Sequence, residues 1–402
     1  MLDDAVALAQ RLVRTPSPSG REKAVVELLA EDMRERGFVV RVDAAGNAIG
    51  TIGRGLPGHP RVVVDGHVDT IPPPSDGVWS RDPFGAEIVA GKLYGLGVCD
   101  QKASLAAAVV GLGSMARRFA DAPGRLSLVA SVGEEFMEGA ALAHALEGPR
   151  PTCVLITEPS GLKLMVGHRG RAKLQVEITG RTAHAARPAD GINAIEALAD
   201  LLAAVRRAPR PSHPRLGPRE VTCIDAVSSP LPSVSTVPGR VEARFDLRFL
   251  PEDTESGLHT LITEAAAEAW RDWPRAPALS VRTVAAGTET YTGQELRVRE
   301  FAPGWWTEGA LVDTARAALA SAGLDDTPGT YSFCTNGSLT AGTLGIPTIG
   351  FGVGEQHMAH RADEYVHVSE IVDGTRGYAA LGAALLDGTR KPRINFGTAE
   401  SS

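Results

Sequence analysis

The sequence predicts an α/β protein in which a doubly wound, mainly parallel sheet is interrupted by an inserted α+β domain. Two observations lead to this fold class. Residues 62–64, 126–132 and 154–156 form continuous apolar runs, which are typical of strands buried on both faces of a parallel sheet. The middle of the chain alternates apolar and polar residues instead, which indicates an antiparallel sheet with one solvated face.

Helical patterns separate the apolar runs in the first part of the chain. Residues 2–13 place apolar side chains on one face, and the helix predicted over 22–36 ends before Gly37. An alanine-rich stretch predicts a long helix over 102–119. Strands that alternate with helices build a doubly wound sheet, so this order of elements favours that architecture.

The inserted domain is predicted over residues 172–289. Strict alternation at 173–179 and 241–249 predicts two of its strands, and helices near 192–207 and 254–271 would cover their apolar face. The proline-rich stretch 209–218 is expected to form an exposed loop of this domain.

After the insert, the chain returns to the first pattern. A helix is predicted over 308–322, an apolar strand over 347–351 and a last helix over 369–386. We therefore expect residues 1–171 and 290–402 to form the α/β domain.

The composition excludes several classes of function. The formal net charge of −7 gives no basic footprint for nucleic acid or for an anionic membrane. The first residues include Asp3 and Asp4 where a signal peptide needs positive charge, and the weakly polar stretch 103–116 is too short to span a bilayer. The four cysteines form no CxxC pair, so a cytoplasmic protein without a disulfide framework is expected.

Titratable side chains follow four of the predicted buried strands. They are His67 and Asp69, the pair Glu134-Glu135, Glu158, and the stretch from Glu355 to His360. The carboxyl ends of strands in an open α/β sheet meet at one edge, where such sheets build their sites. Burying several acids close together requires cations, so the pattern predicts a metal centre.

Each of these motifs also has a plain structural interpretation when it stands alone. The His67-x-Asp69 motif fits a metal-bound imidazole oriented by a carboxylate, but also a solvated turn. Asp100 could simply cap the helix that follows it, and Glu134-Glu135 could be a surface turn. In combination, histidine and carboxylate donors without sulfur favour zinc, with cobalt or manganese as substitutes.

The run of motifs resembles the dizinc family of aminoacylases, acetylornithine deacetylases and succinyl-diaminopimelate desuccinylases, which also includes glutamate carboxypeptidases. The resemblance covers essentially the whole chain. Within the family it is closest to a branch of hydrolases linked to selenium metabolism. Three motifs carry that finer resemblance: Gly167-His168-Arg169-Gly170-Arg171, Pro232-Ser233-x-Ser235-x-Val237-Pro238 and Thr335-Asn336-Gly337.

The resemblance implies a set of site residues at two zinc ions about 3.5–4 Å apart. His67, Asp100 and Glu158 would bind one ion, and Asp100 would bridge to a second ion held by Glu135 and His360. Glu134 would act as the general base, and Asp69 would orient His67. The resemblance also implies a cis peptide bond between Asp100 and Gln101.

In the insert, the resemblance implies a lid and dimerisation domain. His184 would reach the active site of the partner subunit in a homodimer and stabilise the oxyanion. Arg248 would meet a substrate carboxylate, or alternatively pair with Asp246 or Glu242 on the strand surface. Asn336 is a candidate substrate contact, with a structural turn asparagine as the alternative.

The sequence as a whole predicts a hydrolase that cleaves the amide bond of a small N-acyl amino acid, using a water activated by the metals and Glu134. A carboxypeptidase or dipeptidase would use the same site on a dipeptide. From another class, a metal-retaining binding or regulatory protein is a further alternative. The unligated base Glu134 argues against it, because a binding protein does not need that carboxylate.

Overall fold

The computed structural model describes residues 2–73 and 79–387 of the chain. Its largest feature is an eight-stranded sheet, called here the main sheet. In spatial order its strands are Val39–Val42, Ala48–Ile52, Arg125–Ser131, Arg61–His67, Cys153–Ile156, Thr348–Gly350, Leu164–Met165 and Pro328–Gly329. The four strands from Arg125–Ser131 to Thr348–Gly350 are mutually parallel, and antiparallel pairs flank them on both sides. The predicted fold class, a mainly parallel doubly wound sheet, is confirmed.

Both faces of the main sheet are covered, which explains the continuous apolar runs of its central strands. In the strand Arg61–His67, Val62 and Val64 belong to one buried apolar cluster and Val63 belongs to another. Successive side chains of a strand point to opposite faces, so every position of such a strand meets a core. The helices outside the insert are Leu2–Val13, Lys23–Glu35, Ala103–Phe119, the short Leu142–Ala145, Ala310–Ser321 and Val368–Asp387.

The insert is built on an antiparallel sheet, called here the insert sheet. Its strands lie in the order Glu220–Ser229, Arg240–Phe249, Gly170–Thr179 and Ala278–Thr283, and Phe301–Ala302 also pairs with Gly170–Thr179. Burial alternates strictly along Gly170–Thr179, as the sequence pattern predicts. The helices Ala194–Arg207 and Glu255–Ala269 share an apolar core with the buried face of this sheet.

A hairpin that contains the predicted end of the insert packs with the larger core. Its strands are Ala285–Glu289 and Glu295–Arg299. Leu296 is buried in the main apolar cluster, and the Tyr291 hydroxyl donates to the carbonyl oxygen of Gly46 at 3.1 Å. The domain limits at residues 172 and 289 stay predictions, but this hairpin lies on the side of the α/β core.

Shorter strands lie outside the main sheet and the insert sheet. They form three small ladders, Ile88–Val89 with Lys92–Tyr94 and Tyr365–His367, Gly167–His168 with Trp305–Trp306, and Ala183–His184 with Thr236–Val237. The stretch predicted as an exposed loop at 209–218 contains a two-residue ladder between Ser212–His213 and Gly217–Pro218. Within the described ranges, no helix is both long and apolar enough to cross a membrane.

Candidate metal centre and active site

The predicted metal-binding side chains converge at the carboxyl ends of the central parallel strands. His67 ends the strand Arg61–His67, Glu134 and Glu135 lie just after Arg125–Ser131, and Glu158 lies just after Cys153–Ile156. The other two residues, Asp100 and His360, come from the turn before the helix Ala103–Phe119 and from the loop after Thr348–Gly350. This is the edge at which an open α/β sheet places its site.

Asp100 lies between the two histidines of the cluster. The Nε2 atom of His67 is 3.0 Å from Asp100 Oδ1, and Nε2 of His360 is 3.4 Å from Asp100 Oδ2. Glu158 Oε1 lies 3.6 Å from His67 Nε2, and Glu135 lies 3.0 Å from His360 Nε2. One carboxylate thus presents one oxygen to each of two histidine–glutamate pairs, which is the arrangement a bridging ligand needs.

Distances alone do not separate the proposed base from the ligands. Two groups of possible ligand atoms each lie within 4.8 Å of one another, namely His67 with Glu134 and Glu158, and His67 with Asp100 and Glu135. Glu134 Oε2 is 3.9 Å from His67 Nε2, farther than the other two carboxylates that face this imidazole. The assignment of Glu134 as base therefore rests on the ability of a carboxylate to accept a proton and on the resemblance to the dizinc family.

The electrostatics of the cluster fit bound divalent cations. Burial, together with the charges of neighbouring carboxylates, raises the pKa of Glu134 and of Glu158 well above the usual range. Although burial disfavours an imidazolium, the charge of Glu158 and the hydrogen bond to Asp100 raise the pKa of His67 well above its ordinary value. Four carboxylates face two histidines, and cations would remove this excess of negative charge. The oxygen and nitrogen donors suit zinc, cobalt or manganese.

Asp69 faces both the imidazole of His67 and the turn that carries the glutamate pair. The nearest acceptor to His67 Nδ1 is the main-chain oxygen of Asp69, at 3.0 Å, whereas the carboxylate is 3.6 Å away. The carboxylate instead accepts the backbone N–H groups of Glu134 and Glu135, each at 3.1 Å. It also accepts the Ser19 hydroxyl at 2.7 Å. The role of Asp69 as the group that orients His67 stays a prediction, and the same side chain also fixes the turn that carries the glutamate pair.

A second buried carboxylate, Glu364, holds the turn that carries Asp100. It accepts the backbone N–H groups of Gly97, Cys99 and Asp100 at 2.8, 2.6 and 3.0 Å. The peptide bond between Asp100 and Gln101 in this turn is cis, as predicted. Sequence reasoning gave Glu364 no role; its position four residues after His360 was the only available signal.

The two predicted contacts of the insert lie outside the metal cluster in the single chain. His184 is exposed, and its Nδ1 accepts the backbone N–H of Ala186 at 3.0 Å. Arg248 is half-buried, and its Nε donates to Asp246 Oδ1 at 2.9 Å. This pairing of Arg248 through Nε is the alternative that the sequence left open, and its terminal Nη groups can still donate to a ligand.

Asn336 is part of a buried network. Its Nδ2 group donates to Asp65 Oδ2 at 2.8 Å and to Ser131 Oγ at 3.3 Å, and its Oδ1 accepts the backbone N–H of Gly139 at 2.5 Å. The residue is only 2% exposed. Because its amide is already used on both sides, the geometry favours the structural alternative over the substrate contact.

Comparison with known proteins identifies relatives over most of the chain. The profile of Peptidase family M20/M25/M40 matches residues 63–383. The chain is 28% identical to a succinyl-diaminopimelate desuccinylase of Caulobacter sp. (strain K31), with 94% of this chain and 95% of the relative covered. It is 28% identical to an acetylornithine deacetylase of Shigella sonnei (strain Ss046), with coverages of 90% and 92%.

A solved structure shares the fold. The YXEP protein of Bacillus subtilis, described as a dinuclear metal-binding peptidase of the M20 family, matches with a TM-score of 0.72 at 13% identity. The match covers 96% of this chain and 98% of that chain.

The buried cluster of histidines and carboxylates on this fold, together with these relatives, defines a metal-dependent hydrolase that acts on amide or peptide bonds. The family profile covers most of the chain. The protein therefore belongs to Peptidase family M20/M25/M40. The resemblance to the selenium-linked branch stays a prediction.

The metal-free protein should lose stability as the pH rises from 5 to 7. Burial raises the pKa of Glu22 to about 7 and that of Glu364 to about 8, and the hydrogen bond to Glu135 raises the pKa of His360 to about 9. All three groups bind more protons in the folded chain than in the unfolded chain across this range, so the free energy of unfolding falls as they deprotonate. Two groups act in the opposite direction. Burial lowers the pKa of His168 to about 4, so this group favours the folded chain as the pH rises towards 6.5, and burial lowers the pKa of Lys102 to about 7, so that group does so mainly above that pH. The three groups with a raised pKa outweigh His168 over this range.

Thermal unfolding at pH 5, 6 and 7 checks this expectation, once with a chelator and once with saturating zinc. The Tm of the chelated protein should fall with rising pH. With zinc the fall should be smaller or reversed, since cations replace protons at the cluster. A chelated protein whose Tm rises steadily to pH 7 would contradict the electrostatic account.

Proposed function

We propose that the protein is a dizinc amidohydrolase that removes the acyl group from a small N-acyl amino acid. One observation carries the proposal: Asp100 presents its two carboxylate oxygens to two separate histidine–glutamate pairs, His67 with Glu158 and His360 with Glu135. A single metal ion would need only one of these pairs. Two pairs that share one carboxylate suit two ions, with Co²⁺ or Mn²⁺ as possible substitutes for Zn²⁺.

Bound divalent cations would polarise the scissile carbonyl and lower the pKa of an attacking water. Glu134 is the group of this chain that moves the proton. Its carboxylate is buried beside the cluster, on a turn whose amides are fixed by Asp69. It accepts a proton from the water as the new C–O bond forms, and it donates that proton to the leaving nitrogen as the C–N bond breaks.

The class of substrate follows from the relatives and from the insert. Two relatives at 28% identity carry the names of a desuccinylase and a deacetylase, both of which remove acyl groups. The half-buried guanidinium of Arg248 has terminal N–H groups that can bind a carboxylate of the substrate in a bidentate way. A carboxypeptidase or dipeptidase would also need the guanidinium of Arg248 to bind the substrate carboxylate. A deacylase and a peptidase therefore differ in the group that supplies the carbonyl of the cleaved amide, which is a simple acyl group in the first and an amino acid in the second.

The insert supports a homodimer. Glu220–Ser229 is the edge strand of the insert sheet and exposes Ile224 and Val227, and the loop after it exposes Leu231 and Val234. Exposed apolar edge strands are templates for pairing with another chain. The resemblance implies that His184 reaches the site of the partner subunit in such a two-fold dimer. The four free cysteines suit the reducing cytoplasm in which we place the protein.

A substrate panel tests the proposal. N-acetyl, N-succinyl and N-carbamoyl amino acids and a set of dipeptides should be assayed with protein loaded with zinc, cobalt or manganese. We expect the highest kcat/KM on an N-acyl amino acid, and amidation of its carboxylate should lower kcat/KM by at least about tenfold because the charge-assisted bond to Arg248 is lost. Faster cleavage of dipeptides would favour the peptidase, and metal binding without any hydrolysis would favour a binding protein.

A further inference from the structure

The segment between the first two helices lies along the site. Residues 15–22 of this segment, called here the N-terminal brace, lie against the residues that come just after His67 in the sequence. The Ser17 hydroxyl donates to the Val68 carbonyl oxygen at 2.7 Å, and the Thr70 N–H donates to the Ser17 carbonyl oxygen at 3.0 Å. The Ser19 hydroxyl donates to Asp69 Oδ2 at 2.7 Å. The brace is therefore bonded to three consecutive residues that follow the metal-site histidine.

The last residue of the brace, Glu22, reaches the turn that carries the proposed base. Glu22 is fully buried, and its Oε1 accepts the backbone N–H groups of Gly20 at 2.8 Å and of Gly133 at 3.2 Å. Asp69 accepts the next two amides of the same turn, those of Glu134 and Glu135. Two buried carboxylates thus hold three consecutive backbone N–H groups.

Burial of the Glu22 side chain lowers the free energy of unfolding. Within the described part of the chain its Oε2 has no hydrogen-bond partner, although that atom is shielded from solvent. Burial and the nearby charge of Asp69 raise the pKa of the Glu22 carboxyl to about 7. A buried polar atom without a partner lowers stability. Stability alone therefore does not account for a glutamate at this position. The hydrogen bond from the Gly133 N–H to Glu22 suggests that the side chain serves to fix the turn.

We propose that Glu22 is a positioning residue for the turn Gly133-Glu134-Glu135. It holds the first amide of the turn while Asp69 holds the next two, and the fixed backbone sets the direction of the Glu134 carboxylate. The inference rests on the proposed function, in which Glu134 moves the proton. Proton transfer depends steeply on the position of the base, so a freely moving turn would lower kcat more than it changes substrate binding.

Two variants of Glu22 test the proposal. Glu22→Met keeps a similar volume but removes the acceptor, and it should lower kcat at least about tenfold with KM within about twofold. Glu22→Gln keeps an amide oxygen for Gly20 and Gly133, and it should restore kcat to within about threefold of the wild type. Hydrogen exchange of a peptide that covers residues 132–137 should be faster in Glu22→Met than in Glu22→Gln, and metal content should be unchanged in both.

A matched control separates positioning from general loss of stability. Thr340→Val removes a buried hydrogen bond to Thr348 at 2.8 Å and should lower Tm without changing kcat. Wild-type kcat in Glu22→Met, or equal loss of kcat in both Glu22 variants, would overturn the proposal. If Glu22→Met does not fold, Glu22→Asp withdraws the oxygen by one methylene, and wild-type kcat in that variant would overturn it equally.

The outcome for Glu134 distinguishes this inference from the proposed function. If Glu134→Gln stays fully active, the proposed function fails whatever Glu22 does. If Glu134→Gln is inactive while Glu22→Met keeps wild-type kcat, only the role of Glu22 fails.

Discussion

Replacing Glu134 by glutamine should lower kcat by at least about 10²-fold while metal content stays at the wild-type level. General-base catalysis contributes roughly 10²–10⁴-fold, and an amide cannot accept the proton of the attacking water. A 10²-fold loss corresponds to about 2.7 kcal/mol in the activation free energy. Steady-state kinetics on the best substrate of the panel, together with elemental analysis of the purified variant, measure both quantities.

Glu135→Gln is the matched control, because the two glutamates are adjacent and have the same backbone support from Asp69. Glu135 lies 3.0 Å from His360, on the other side of the cluster, so its variant should weaken one metal site. Equal loss of metal in both variants would contradict the division of roles between the two residues.

Mixing two inactive variants should restore activity if His184 acts on the partner subunit. A His184→Ala subunit keeps Glu134, and a Glu134→Gln subunit keeps His184. In a heterodimer, one of the two sites would combine an intact base with an intact histidine, so activity should rise to about half of the wild-type level. Each variant alone should stay low, since removal of one oxyanion donor costs about 10²–10³-fold in kcat.

The assay uses two differently tagged subunits that are purified as a heterodimer after co-expression. The exposed position of His184, away from the metal cluster of its own chain, motivates the experiment. A purified heterodimer that is no more active than its parents would show that His184 does not act across the dimer.

Most of the fold could be predicted because its signals are local. The continuous apolar run at 62–64 meets a core on each face, and the alternation at 173–179 buries one side of the insert sheet. The predicted limit of the insert at residue 289 cuts through the hairpin of Ala285–Glu289 and Glu295–Arg299. Its packing depends on contacts such as that of Tyr291 with Gly46, which lie far apart in the sequence.

A cluster of titratable side chains could be predicted because strand ends of a parallel sheet meet at one edge. The choice of Asp100 and His360 as ligands came from the resemblance to the family. The contacts that hold the turns carrying these residues could not be predicted. The bond from Gly133 to Glu22 spans 111 residues, and the three amides bound by Glu364 lie 264 to 267 residues away from it. No periodicity or spacing encodes such pairs. The structural role of Asn336 could not be predicted for the same reason, since its partner Asp65 is buried and lies 271 residues away in the sequence.

The central claim is that Asp100 is shared by two metal ions. It is tested most directly by a crystal structure of the zinc-loaded protein with anomalous data collected on both sides of the zinc edge. The account predicts two anomalous peaks in each chain, one beside His67 and Glu158 and the other beside His360 and Glu135, with Asp100 bound to both. A single peak, or a peak that has Glu134 rather than Asp100 as its ligand, would contradict it.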